Sequence, residues 1–300
     1  MSLLVTGSLG VDSVETPAGK RENVVGGSAV YFSYAASFFT PVRLVGAVGD
    51  DVHQPFFDAL EGRPIDTSGL EVRKGSRTFR WQGSYLKDLN EAVTEKVDLN
   101  VLAEKAPKIP QNFVDSDHVF LANTHPCLQQ EMAGSLKGAR LIVADTMNLW
   151  IETERKELEK TLRMVHGLVL NDTEARLLTG NRNAIGAAHD VLRMGPKFVV
   201  IKRGEYGSLF CSEKDVFVLP AFPTDTVIDP TGAGDSFAGG MMGYLASQGN
   251  FSSATIRRAV AFGTVVASFT IGDFSLGGLQ SLDREQIDQR YQHFKRSLDF

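Results

Sequence analysis

The 300 residues carry 31 Lys and Arg against 36 Asp and Glu, a formal charge of −5, with 43% hydrophobic and 22% charged residues. That composition belongs to a globular chain with a substantial core and excludes disordered, collagen-like and small disulfide-stapled folds. Two cysteines without CxxC spacing, Cys127 and Cys211, predict a reduced, cytoplasmic protein. The start lacks a basic leader, no stretch nears the ~18 apolar residues of a membrane span, and the acidic balance repels phosphate backbones. Neither a membrane nor a nucleic acid is expected as partner.

In chain order, short apolar or β-branched runs fall at Leu3–Thr6, Val42–Val45, His118–Leu121, Leu141–Ala144, Gly167–Leu170 and Phe198–Ile201. Most lack period-2 alternation, as strands covered on both faces do. Amphipathic segments at Ala29–Phe39, Val52–Leu60, Thr153–Val165, Ala184–Met194, Ser236–Ser247 and Ala254–Phe269 come between or after them. The pattern predicts an α/β fold, a mostly parallel central sheet with helices on both faces. Two stretches break the rhythm. Asp12–Val25 is punctuated by Pro17, Gly19 and Gly26-Gly27, while Val72 to Val97 alternates through Phe79 and Trp81, with Gly83 placed for a bulge. We expect a small antiparallel sheet, a lid built from about residues 12–25 and 72–98, on a single domain spanning 1–300.

The most informative stretch is Asp229-Pro230-Thr231-Gly232-Ala233-Gly234-Asp235, which follows the strand-like Thr226–Ile228 and opens an apolar helix. Gly232 and Gly234 permit a tight turn, and the first helical N–H groups lack intrahelical partners. Such a turn suits a phosphoryl group, and Asp235 in the first helical turn faces the same spot. A carboxylate beside an anion hole makes chemical sense as a proton acceptor: Asp235 deprotonates an attacking alcohol while the Gly232, Ala233 and Gly234 amides hold the transferring charge. The alternative is an ordinary strand-to-helix turn with an acid at the helix start.

The run from Asp229 to Met242 resembles the C-terminal signature of the ribokinase-like (PfkB-type) carbohydrate kinases, and further resemblances follow the same order along the chain. The resemblance implies ATP-dependent phosphorylation of a hydroxyl on a small sugar or sugar-like substrate, with Mg²⁺. It makes Asp12 the anchor of substrate hydroxyls and Gly26-Gly27 the backbone that approaches the substrate. Asn171 and Glu174 match the Asn-x-x-Glu motif that orders water around Mg²⁺, and Lys202, Gly204 and Gly207 fall where ATP is held. Asp229 and Thr231 match positions of a monovalent-cation site, hence K⁺ as an extension, and relatives with such lids often dimerise through them, hence a homodimer. The chain departs from the pattern at Ser28, where Lys is common, at Tyr31, where Asn is common, and at Lys202, where Thr or Ser is usual. The Gly46–Asp51 turn reads as structural.

Other signals carry less. The histidines at 53, 118, 125, 166, 189 and 293 show no metal-ligand spacing, no GxSxG elbow accompanies Ser236, and neither a Walker nor a dinucleotide glycine motif occurs. Phe79, Trp81 and Tyr85 read mainly as packing. Two rivals stay open: a nucleoside kinase on the same fold, and a non-catalytic sugar- or nucleotide-binding regulator.

Overall fold

The computed structural model describes residues 2–52 and 54–299, so His53 lies outside the described residues. The strands in chain order are β1 (Leu3–Thr6), β2 (Gly10–Thr16), β3 (Gly19–Gly26), β4 (Val42–Gly49), β5 (Ile65–Arg73), β6 (Phe79–Ser84), β7 (Val93–Asp98), β8 (His118–Leu121), β9 (Leu141–Asp145), β10 (Gly167–Asn171), β11 (Phe198–Lys202), β12 (Ser208–Ser212) and β13 (Val216–Leu219). The large sheet runs β13, β12, β11, β10, β9, β8, β1, β4, β5. It is parallel from β5 to β11, and β12 and β13 close one edge antiparallel.

Every residue of β1 and β8 is buried, which is why neither alternates in polarity. Leu3 and Val5 join a core with the helices Ser28–Ala36, Ala233–Gln248 and Ser253–Thr270, whereas Leu4 packs into a second core with residues of Pro126–Ser135, Arg155–Leu162 and Ala184–Arg193. Alternate side chains of one strand thus hold two helical layers. The expected helix over 153–165 is shorter, at Arg155–Leu162, with a separate helix Asn148–Thr153 before it, and that over 52–60 is shorter, at Gln54–Asp58. Cys127 is exposed and Cys211 buried, both as free thiols.

The lid is a four-stranded sheet in the order β3, β2, β6, β7. Three expectations need correction. Val72 and Arg73 belong to the main sheet, because β5 pairs in parallel with β4 through Val48↔Val72 and Gly49↔Arg73, so the second lid segment begins at Phe79. The lid is mixed, since β2 and β6 run parallel and each carries an antiparallel partner at the edge. Thr226–Ile228 is not a strand. Its backbone is held singly instead: Ile228 N donates to Ile271 O at 2.8 Å, and Thr16 Oγ1 donates to Ile228 O at 2.7 Å. The expected irregularity at Gly83 is present, with the β6/β7 register shifting between Gln82 and Gly83. The expected Gly46–Asp51 turn is corrected too, since Gly46–Gly49 belong to β4 and only Asp50 and Asp51 turn; Asp51 braces the lid, as its Oδ1 accepts from Thr78 N and Thr78 Oγ1, both at 2.7 Å.

Candidate active site

Asp145, Asn171 and Lys202 end the adjacent strands β9, β10 and β11, and the register pairs Val169 with Asp145 and Asn171 with Lys202. Parallel strands deliver such terminal residues to one edge, where α/β sheets bind ligands. Buried Gln129 fixes that edge by donating through Nε2 to Leu121 O at 3.0 Å and Asp145 O at 3.1 Å.

The glycine bend meets this edge. Gly232 caps the Ala233–Gln248 helix with φ 74°, a left-handed conformation that favours glycine. Lys202 Nζ lies 2.5 Å from where a Cβ on Gly234 would stand, so glycine lets the ammonium settle against the first turn. Burial raises the Asp235 pKa to about 6, while Lys202 pulls it down. Burial likewise raises Glu174 to about 7, again opposed by Lys202. Asp145 is 5% exposed, its Oδ1 has no hydrogen-bond partner, and burial followed by the Asp235 charge pushes its pKa well above the usual carboxylate range. Three carboxylates therefore share one ammonium. A buried cluster so rich in negative charge is poised for a cation that the protein itself does not supply.

Asn171 and Glu174 form a capping box: Asn171 Oδ1 accepts from Glu174 N at 2.7 Å, and Glu174 Oε2 accepts from Asn171 N at 2.6 Å. Glu174 thus caps its own helix start through Oε2, which leaves Oε1 uncommitted. The orphaned Asp145 Oδ1 and this second Glu174 oxygen fit hydrated Mg²⁺, a hard cation that retains waters.

On the lid side, Asp12 Oδ1 is buried without a partner, and burial raises its pKa to about 7 even though Gly27 N–H donates to the carboxylate. A Cβ on Gly26 would overlap the Asp12 carboxyl group, and Gly27 has φ 98°. Ser8 draws these glycines in, accepting from Ser28 N through Oγ at 2.9 Å and from Ala29 N through its carbonyl at 3.1 Å. The Tyr31 ring packs on Gly232, where a Cβ would collide with it, so Tyr31 supports the bend itself. Tyr85 is also buried, and its hydroxyl lies within the field of Asp229, Asp12 and Asp235. Sequence reasoning counted it as packing; the structure puts it at the site. Asp229 accepts from Thr231 N at 2.9 Å and Ser275 N at 3.4 Å, and burial raises its pKa.

Gly204 (φ 53°) and Gly207 (φ 85°) bend the chain after β11. The lid loop reaches this turn: Glu205 N donates to Asn90 Oδ1 at 3.0 Å, and Asn90 Nδ2 donates to Glu205 Oε1 at 3.1 Å. Asp145, Gln129 and Asn90 were missed by sequence reasoning, because a lone Asp, Gln or Asn has no motif. The one available signal was that Asp145 closes a buried apolar run, where an acid is costly without a task.

A model of the pfkB family of carbohydrate kinases matches residues 5–282. The chain belongs to this family. It is 31% identical to the cytidine kinase of Thermococcus kodakarensis over 252 residues, covering 81% of this chain and 88% of that protein. An E. coli structure holding ATP and Mg²⁺ superposes with a TM-score of 0.78 at 17% identity, covering 97% of this chain and 99% of the other. The inosine complex of Burkholderia thailandensis nucleoside kinase gives 0.78 at 20% identity over 97% of each chain. The predicted ribokinase-like fold is thus borne out, and this kinase is an ATP-dependent phosphotransferase.

The raised carboxylates have a measurable cost in the ligand-free kinase. A group whose folded pKa exceeds its unfolded value stabilises fully below the unfolded pKa, and that contribution is lost as pH rises through the folded value. For Asp12 and Glu174 the window runs from their ordinary values of 3.8 and 4.5 to about 7. Asp145, pushed up by burial and by the Asp235 charge, follows the same rule, so Asp145→Asn should raise the ligand-free Tm at pH 8 by roughly 2–5 °C, with the gain shrinking as pH falls toward the ordinary value of 3.8, and should lower activity. Differential scanning fluorimetry across pH reads this, and an equal or lower Tm at pH 8 would contradict the charge crowding.

Proposed function

We propose that this kinase transfers the terminal phosphoryl group of ATP to a hydroxyl on the ribose of a nucleoside. The observation that carries the chemistry is Asp235, with its pKa raised to about 6, in the first turn of a helix whose opening Gly232 bend and Lys202 leave donors for a phosphoryl group. Asp235 accepts the proton of the attacking hydroxyl. The Gly232, Ala233 and Gly234 backbone takes up charge on the moving group, and Lys202 meets it as a point charge. Asp12, with Gly26 and Gly27 behind it, holds acceptor hydroxyls, and Gly204 and Gly207 shape the nucleotide turn. Asn171, Glu174 and Asp145 would hold Mg²⁺ through water, and the ion neutralises phosphate charge when bound. A monovalent cation such as K⁺ beside Asp229 and Thr231 would relieve a buried carboxylate. The lid excludes water, which protects ATP from hydrolysis.

Similarity to a cytidine kinase over most of its length favours a nucleoside over a free sugar. Steady-state assays with cytidine, other nucleosides, ribose and hexoses test this: a nucleoside should exceed ribose in kcat/KM by about 100-fold or more. Preference for ribose would return the substrate to the free-sugar class, and binding without ATP consumption for any acceptor would establish the regulator reading. One domain over 1–300, acting in the cytoplasm, completes the proposal. Homodimerisation through the lid rests on Leu86 and Val93, exposed apolar residues there, although the β3 edge carries Lys20, Arg21 and Glu22, which discourage strand pairing. Light scattering should give twice the chain mass, reverting to one chain mass in Leu86→Glu/Val93→Glu.

A further inference from the structure

The pairing of β2 with β6 fixes which lid side chains share a face. The two strands run parallel with Gly10 opposite Phe79, Asp12 opposite Trp81 and Val14 opposite Gly83. Side chains alternate between the faces of a sheet, so Asp12 and Trp81 project from the same one. That face is turned to the cleft. Thr16, next on it after Val14, donates through Oγ1 to Ile228 O just ahead of the glycine bend, and Asp12 lies in the field of Asp235 and Asp229. Gly10, Asp12, Val14, Thr16, Phe79 and Gly83 are buried there, whereas Trp81 keeps part of its surface open.

The Trp81 ring is held in place from two sides. It lies over Gly83, where a Cβ would collide with it, and its Nε1 donates to Thr94 Oγ1 at 3.2 Å on the next strand. Glycine thus makes room for the indole on the sheet face. The chain's other tryptophan serves packing: Trp150 is 5% exposed and donates to Asn123 Oδ1 at 2.9 Å. Trp81 instead presents a fixed, partly open ring on the strand beside Asp12, roughly 5 Å from it backbone to backbone, a separation that one nucleoside spans.

We propose that Trp81 sets acceptor specificity as the stacking platform for the base of the nucleoside whose ribose hydroxyls Asp12 holds, an inference that rests on the nucleoside reading above. The indole face attracts a flat base, and a free sugar has no base to offer it. Trp81→Ala should raise KM for the better of cytidine and inosine by about 10–100-fold, with KM for ribose unchanged and KM for ATP within about threefold. The preference for nucleoside over ribose then collapses. Trp81→Phe, which keeps a ring, should recover most of that preference at an unchanged Tm, and so separates stacking from damage to the lid. Fluorescence reads the contact without turnover: either nucleoside should quench the wild-type emission, ribose should not, and the quench should be absent in Trp81→Phe. Nucleosides phosphorylated with the same nucleoside-to-ribose ratio in Trp81→Ala, or an undiminished quench in Trp81→Phe, would overturn the platform and leave the nucleoside reading intact. Wild-type preference for ribose, with no quench by either nucleoside, would overturn both.

Discussion

Asp235→Asn lowers kcat by roughly 10²–10⁴ while the fold and ATP binding hold, because the amide keeps the shape of the carboxylate and loses only its capacity to accept a proton. The wild-type pH profile supplies the complementary signature. Burial raises Asp235 to about 6 and Lys202 restrains the rise, so the base is mostly protonated below pH 6 and free above it. Wild-type kcat should therefore climb nearly tenfold per pH unit below about 6 and level off above. In Asp235→Asn that limb should vanish. Single-turnover measurements from pH 5 to 8 read both effects, and near-wild-type turnover would remove Asp235 from the base role.

Gly26→Ala, a single added methyl group, should be almost as damaging through a different parameter. The new Cβ would occupy the space of the Asp12 carboxyl group, which sits on Gly26 and accepts from Gly27 N–H. Asp12 must then swing away, giving up that donor and its place at the lid base. Asp235, Lys202 and the Gly232 bend are untouched. The expected split is a KM for the acceptor raised about 100-fold, with the KM for ATP changed less than about threefold. Equal damage to both substrates would mean that the methyl group disorders the whole cleft rather than Asp12.

Legibility in the sequence tracked how local the physical cause was. The Gly232–Asp235 turn was readable because its glycines, amides and acid lie within one helical turn, and the structure keeps them in that relation. The Asn171–Glu174 pair was readable as a motif, but its first task is a capping box, a local bond that the pattern did not distinguish from cation binding. Thr226–Ile228 looked like a strand because β-branched residues favour extension; its backbone instead makes isolated hydrogen bonds to Ile271, Thr16 and the neighbouring Thr224 side chain, and it joins no ladder. The parallel pairing of β2 with β6 was invisible, as strands more than sixty residues apart announce no register.

The sequence alone determined the layered α/β plan, the glycine bend that opens the Ala233–Gln248 helix and the acid in its first turn, since apolar period, glycine conformation and helix-end polarity are properties of neighbouring residues. Only the tertiary structure decided that Asp145 joins Glu174 and Asp235 around Lys202, that Tyr31 supports the bend, and that Asn90 ties the lid to the Gly204–Gly207 turn. Those relations depend on which strands lie side by side and on how far burial shifts a charge. Both are set by the packed whole and by no short stretch of chain.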